Sequence, residues 1–346
     1  MKDKDRRYWD CLDQAMEASH GGRTDEALGW LDEALKAEPE GAEAHNGRGE
    51  ILWDDGRVEE ALHEFELASR SDPKFITAHL NRAEILIDEL SEYEQALALC
   101  DQLLAGQGEL PRPDKGMEAE IYYLKSKALF YTDDLEGALF LVRRALKTGG
   151  EQSIYRAFEG QILFELGRFK EARPSLETAV AMEADAAQTH YHLGLVLERL
   201  GEAEEAASRF EKASQLEPEQ FPVPLRMTDD DFERAAAEAQ AELPRSIREY
   251  VENVPLLIEE WPSAELVLDE NVSPTILGIF LGVPRTEAGA VDQPRDMDRV
   301  ILFKRNLETH CQDREELVRE IQTTVTHEIG HYLGLDEDDM ERLGLA

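Results

Sequence analysis

The chain has 346 residues, 42% hydrophobic and 32% charged, so it carries enough apolar material for a sizeable core and is not a disordered polymer. Its 37 basic and 75 acidic side chains leave a net charge of −38, whose field repels phosphate and disfavours nucleic acid or an anionic membrane as partner. Cys11, Cys100 and Cys311 are widely spaced with no CxxC, which argues against a disulfide framework. With a polar start and no apolar run of ~18–20 residues, a cytoplasmic protein without export signal or membrane span is expected.

A small-residue pattern recurs along the first two thirds. Ala27, Leu31, Ala34 and Pro39 return one 34-residue period later as Ala61, Phe65, Ala68 and Pro73, and again as Ala206, Phe210, Ala213 and Pro218. Ala138–Val142–Ala145 and Ala172–Leu176–Ala179 repeat it without the proline, and Gly49, Gly160 and Gly194 each stand 12 residues before the opening alanine. Small residues at this spacing let antiparallel helices approach closely, and proline ends the second helix of each pair. The pattern resembles the tetratricopeptide repeat family. Six units fit, about 8–41, 42–75, 76–110, 119–152, 153–186 and 187–220, with a Gly/Pro loop at 106–116.

In that family the first helix of each pair lines a concave groove. The resemblance therefore implies a ladder of Trp53, Ile87, Phe130 and Phe164, with Tyr123 and Tyr191 nearby, for an extended peptide or partner helix. The alternative is that these rings pack between helices. Only Lys127 is basic on that face, so a carboxylate-binding groove is not expected there.

After Pro218 the repeat stops. Residues 221–228 read as a linker, and 229–346 as a second domain with its own apolar pattern. A helix is predicted over 231–243 with Asp229–Asp231 as cap and first-turn charges, and a short one over 246–253. Strands are predicted at 254–260, 276–282 and 299–307, with a polar loop at 283–298. A last helix starts at Asp313, where Asp313 and Glu316 form a capping-box-like pair, and runs to Gly334, a natural left-handed cap.

That helix carries His327-Glu328-Ile329-Gly330-His331. Residues four apart on a helix are rotated by only ~40°, so both imidazoles leave one face and can grip one zinc ion. Glu328 stands ~100° round, beside the metal, where a carboxylate can take a proton. Val318, Ile321, Val325, Ile329 and Leu333 form the stripe for the core. A chain reversal at Gly334 would return an acidic side chain from Asp336, Glu337 or Asp338 to the metal.

The order of ELPRSIREYVENVPLLIEEWP, LGIFLGVPRTE, DRVILFKRNLE and HEIGHYLGLDEDDMERLG resembles the minimal zincin family, bacterial domains classed as possible zinc metallopeptidases. The resemblance implies a small α+β domain with the motif on its last long helix, Zn2+ as cofactor, and residue 337 as third ligand. This chain has Glu337 where the family has Asp or His. The expected fold is thus an all-α tetratricopeptide solenoid followed by a small α+β zincin-like domain. The expected function is zinc-dependent peptide hydrolysis, with His327, His331 and Glu337 as ligands, Glu328 as base, and the array recruiting a peptide or protein. The alternative is an interaction scaffold with a structural or degenerate zincin domain.

His310 and Cys311 lie about 14 helical residues from His327, ~21 Å at 1.5 Å per residue, too far to share an ion, and are read as loop residues. His45, His63, His79, His190 and His192 are read as structural or surface residues. Met340 is read as an apolar partner of Leu343, and Tyr332 is the nearest phenol to the motif.

Overall fold

A computed structural model describes residues 3–243, 248, 254–269, 272–282 and 298–335. It packs as two compact units, Met1–Ile162 and Leu163–Ala346. Among the described residues, no helix is long and apolar enough to cross a membrane.

The repeats form twelve helices in six antiparallel pairs. They are α1 (Asp3–His20) with α2 (Thr24–Ala37), α3 (Ala42–Asp54) with α4 (Val58–Ser71), and α5 (Ile76–Asp88) with α6 (Tyr93–Ala105). Then follow α7 (Lys115–Tyr131) with α8 (Leu135–Gly149), α9 (Ser153–Glu165) with α10 (Phe169–Met182), and α11 (Ala187–Arg199) with α12 (Ala203–Leu216). The small–large–small pattern sets the packing: Ala61, Phe65 and Ala68 are all fully buried. A Cβ at Gly49 would stand 2.5 Å from a Phe65 ring carbon, and one at Gly194 would stand 2.7 Å from Phe210, so each glycine is the slot for the ring that fills the pair.

The second unit continues past the repeats. Helix α13 (Asp229–Glu242) starts from Thr228, whose hydroxyl accepts the Asp231 amide at 3.3 Å. Thr228, and not an aspartate, is therefore the cap, and the three aspartates complement the dipole in the first turn. The three described strands are β1 (Leu256–Glu259), β2 (Gly278–Leu281) and β3 (Arg299–Phe303), in the order β1-β3-β2. β1 runs parallel and β2 antiparallel to β3, with Leu257 opposite Ile301 and Ile279 opposite the same residue. A six-residue helix, α14 (Ala264–Asp269), lies between β1 and β2.

The strand predicted over 299–307 stops at Phe303. Lys304–His310 is helix α15, and α16 (Arg314–Leu333) follows. The apolar run ends at Phe303, and Glu308, fully buried, takes charged and backbone donors instead of a strand partner. His310 therefore closes a helix and Cys311 is buried in the core, where burial pushes its thiol up to about 12. Helices α13 and α16 cover one face of the sheet: Phe232, Ala236, Val300, Leu302, Ile321 and Val325 share one core.

The predicted linker is tied down by hydrogen bonds. The Leu225 amide donates to the Glu308 carbonyl at 3.1 Å and the Met227 amide to the Glu308 carboxylate at 2.7 Å, while Arg226 pairs with Glu198. Arg199 at the end of α11 donates to the Pro274 carbonyl and the Asn306 side chain, each at 2.7 Å. Its guanidinium lies over the rings of Phe164, Phe169 and Trp261, and burial pushes it down to about 10. The change in chain character at 221 is thus not a gap in packing. The predicted helix over 246–253, the loop over 283–298 and the segment after Leu335 lie essentially outside the described residues.

Candidate metal centre

Helix α16 is fixed at both ends by its own sequence. The Asp313 carboxylate accepts the Glu316 amide at 2.9 Å, and the Glu316 carboxylate accepts the Gln312 amide at 2.6 Å. At the other end Gly334 adopts φ 80° and ψ 26°, and its amide and that of Leu335 close onto the Gly330 and His331 carbonyls. Ile321, Val325 and Ile329 face the core as expected, with Leu317 more deeply buried than Val318.

One turn before that cap, the Nε2 atoms of His327 and His331 stand 3.1 Å apart, with ring centroids 4.6 Å apart and planes at 89°. Two nitrogens at 2.0–2.1 Å from a tetrahedral zinc are separated by ~3.3 Å. The pair therefore has the bite of two zinc ligands. Among the described residues no third His, Cys, Asp or Glu joins them. Asp336, Glu337 and Asp338, the proposed sources of the third ligand, lie outside the described residues, as do Met340 and Leu343.

Glu328 is only 8% exposed, and its Oε2 accepts the Phe280 amide at 2.6 Å. The register explains that donor. The Leu277 carbonyl bonds the Phe303 amide at 2.8 Å, so alternate residues of β2 face β3, while Gly278 and Phe280 turn their backbone groups away from β3, to the outer edge of the described sheet. Phe280 spends its edge amide on Glu328, and its ring packs against Tyr332 at 5.4 Å. Tyr332, 2% exposed, is a core residue. Gly278 allows the approach: a Cβ there would stand 2.6 Å from Thr324 Cγ2 and 3.3 Å from Glu328 Cγ. Gly278 and Phe280 escape a reading for titratable groups. Their signal was the glycine inside ILGIFLG, which marks a close backbone approach.

The predicted aromatic ladder divides. Trp53 donates its indole N–H to Glu89 at 2.9 Å and lines a cavity of about 700 Å³ with Trp9, Met16 and Asn46. Tyr123 and Phe130 both pack on Phe158, at 5.5 and 5.4 Å. Ile87 is buried. Phe164, 1% exposed, and Tyr191, edge-on to Phe210 and tilted against Phe221, line a second cavity of about 600 Å³ whose other walls include Leu277, Asn306 and His310. Those walls are the chain's own C-terminal region. Lys127 pairs with Asp88 at 2.6 Å. Among the other histidines, His45 bonds Glu64 at 2.7 Å, and His79 and His190 bond the Pro73 and Ala184 carbonyls.

Two family models match parts of the chain. A tetratricopeptide repeat family model matches residues 12–75 and 159–220, and a zincin-like metallopeptidase model matches 251–345. No curated protein matches the chain. Among solved structures, the Pseudomonas aeruginosa pilF protein is similar at 18% identity, with a TM-score of 0.53 over 63% of this chain and 95% of that one. The type IV pilus biogenesis factor PilW is similar at 17% identity, with a TM-score of 0.53 over 61% and 94%. At these identities the likeness concerns the fold alone.

Proposed function

We propose that this chain, a tetratricopeptide repeat array followed by a zincin-like metallopeptidase domain, is a zinc-dependent peptidase whose array recruits a peptide or protein. The supporting observation is the His327–His331 pair, whose Nε2 atoms stand 3.1 Å apart beside the buried Glu328 carboxylate. His327 and His331 would hold the ion, with Glu337 as the proposed third ligand. Zinc bound there supplies Lewis acidity for an attacked carbonyl. Glu328 is the base: it takes the proton of the attacking water and returns it to the leaving amine. The Phe280 amide orients that carboxylate, and the outer edge of β2, which has no strand partner among the described residues, is a place for an extended substrate to pair through its remaining backbone groups.

In the array, Trp53, Tyr123 and Phe130 are proposed as partner-binding residues, and Phe164 and Tyr191 as residues of the second cavity. Cytoplasmic location is part of the proposal, from the free, buried cysteines. The deciding experiment pairs elemental analysis of the purified protein with Glu328→Gln. One zinc per chain and loss of peptide hydrolysis in a variant that keeps its zinc are expected. A zinc-free protein, or unchanged hydrolysis in Glu328→Gln, would leave a non-catalytic scaffold.

A further inference from the structure

Helix α8 has two distinct faces. Ala138, Leu139, Val142 and Ala145 point inward and are buried. Phe140, Arg143, Arg144 and Lys147 follow the helical spacing i, i+3, i+4, i+7 on the outward side, and Phe140 is 62% exposed. Together with Lys115 and Glu118 of α7 they line an open depression of about 680 Å³.

This strip runs against the charge of the molecule. The chain carries −38, yet α8 holds three basic side chains and one acidic one. Two of the cations are held in place. Arg144 lies 4.2 Å over the Tyr122 ring and bonds its hydroxyl, which donates to Glu118 at 2.8 Å. Arg143 bonds Glu159 at 2.8 Å, a carboxylate shared with Arg156. Lys115 and Lys147 have no carboxylate partner among the described residues. Fixed guanidinium groups, ammonium groups with no carboxylate partner among the described residues, and an exposed ring between them form a positively charged helix face with an apolar centre.

We propose that this face docks an acidic protein segment carrying an apolar side chain, which would seat on Phe140 while its carboxylates meet Lys115, Lys147 and the arginine edges. Charge complementarity selects that occupant. Salt screens charges farther apart than the Debye length of about 8 Å, so a long polyanion is repelled where it runs off the strip and comes within that distance of the acidic surface of this −38 chain, whereas a short acidic segment can lie wholly within the basic strip. The proposal does not rest on the metallopeptidase reading, and its test involves no hydrolysis.

The probe is a fluorescein-labelled peptide of glutamates and aspartates around one tryptophan, titrated with the full chain by anisotropy. Its isosteric Gln/Asn version and an oligo(dT) of matched charge serve as comparisons. Lys115→Glu with Lys147→Glu is expected to weaken binding by about tenfold, and Phe140→Ala by several-fold. Both variants should keep the wild-type melting temperature, since these side chains are exposed. Binding should also fall as NaCl rises from ~50 to ~300 mM. Affinity unchanged within about twofold in the double variant would overturn the proposal. So would equal binding of the neutral peptide, tighter binding of oligo(dT) at the same strip, or self-association of the chain that the double variant abolishes.

Discussion

The Phe280 amide donates to the Glu328 carboxylate at 2.6 Å, and this bond joins the outer edge of the described sheet to the histidine motif near the end of α16. Gly278 is the residue that lets strand and helix meet. With a side chain there, Thr324 and Glu328 would have to retreat. Gly278→Ala is expected to destabilise the second unit by about 1–3 kcal/mol through overpacking. It should lower any hydrolytic kcat more than KM, because it moves the carboxylate rather than the metal. Chemical denaturation and steady-state kinetics measure the two effects. A fully stable variant with wild-type kinetics would show that the contact relaxes freely.

The metal should depend unequally on the acidic residues after Gly334. Zinc titrations of Glu337→Ala, Asp336→Ala and Asp338→Ala are expected to weaken binding only in the first, by more than ~tenfold. His327→Ala and His331→Ala should each do at least as much. Wild-type affinity in Glu337→Ala would remove that residue from the site.

Arg199 anchors the last repeat to the segment before β2 and to α15. A buried guanidinium gains its stability from the groups it bonds, here the Pro274 carbonyl and the Asn306 side chain, beneath three aromatic rings. Arg199→Ala is expected to cost about 2–4 kcal/mol, from lost packing and unpaired polar groups. For the same reason, a fragment of residues 163–346 should unfold at higher urea than one of 229–346, which lacks both Arg199 and Arg226. Equal midpoints would show that the zincin-like domain completes its own core.

Two histidines predict opposite pH dependence. The Glu64 hydrogen bond raises His45 above its ordinary value, so its contribution is fully present below about pH 6.5 and is lost as pH rises through the raised value. Burial pushes His192 down to about 4, so its contribution is present above about pH 6.5 and falls as pH drops towards 4. His45→Gln should therefore lower the melting temperature more at pH 5 than at pH 8. His192→Gln should flatten the loss of stability between pH 6.5 and 4. Parallel melting curves for wild type and both variants across this range would contradict both assignments.

Local chemistry was legible from the residues themselves. The 34-residue pattern of Ala61, Phe65 and Ala68 specifies helix pairs, because small residues at helical spacing admit one packing, and all three are fully buried. Asp313, Glu316 and Gly334 bound the last helix through hydrogen bonds within a few residues, so its ends and the shared face of His327 and His331 follow from spacing. What only the tertiary structure decided involves partners far apart in the chain. Phe280 meets Glu328 across 48 positions, and Arg199 meets Asn306 across 107. Lys304–His310 is a helix, not a strand, because buried Glu308 takes the Met227 amide and Arg226 from another segment and Arg305 from its own helical turn. Periodicity records how a segment packs along itself. It carries no record of which distant amide a carboxylate will take, since that is set by how strand and helix are brought together.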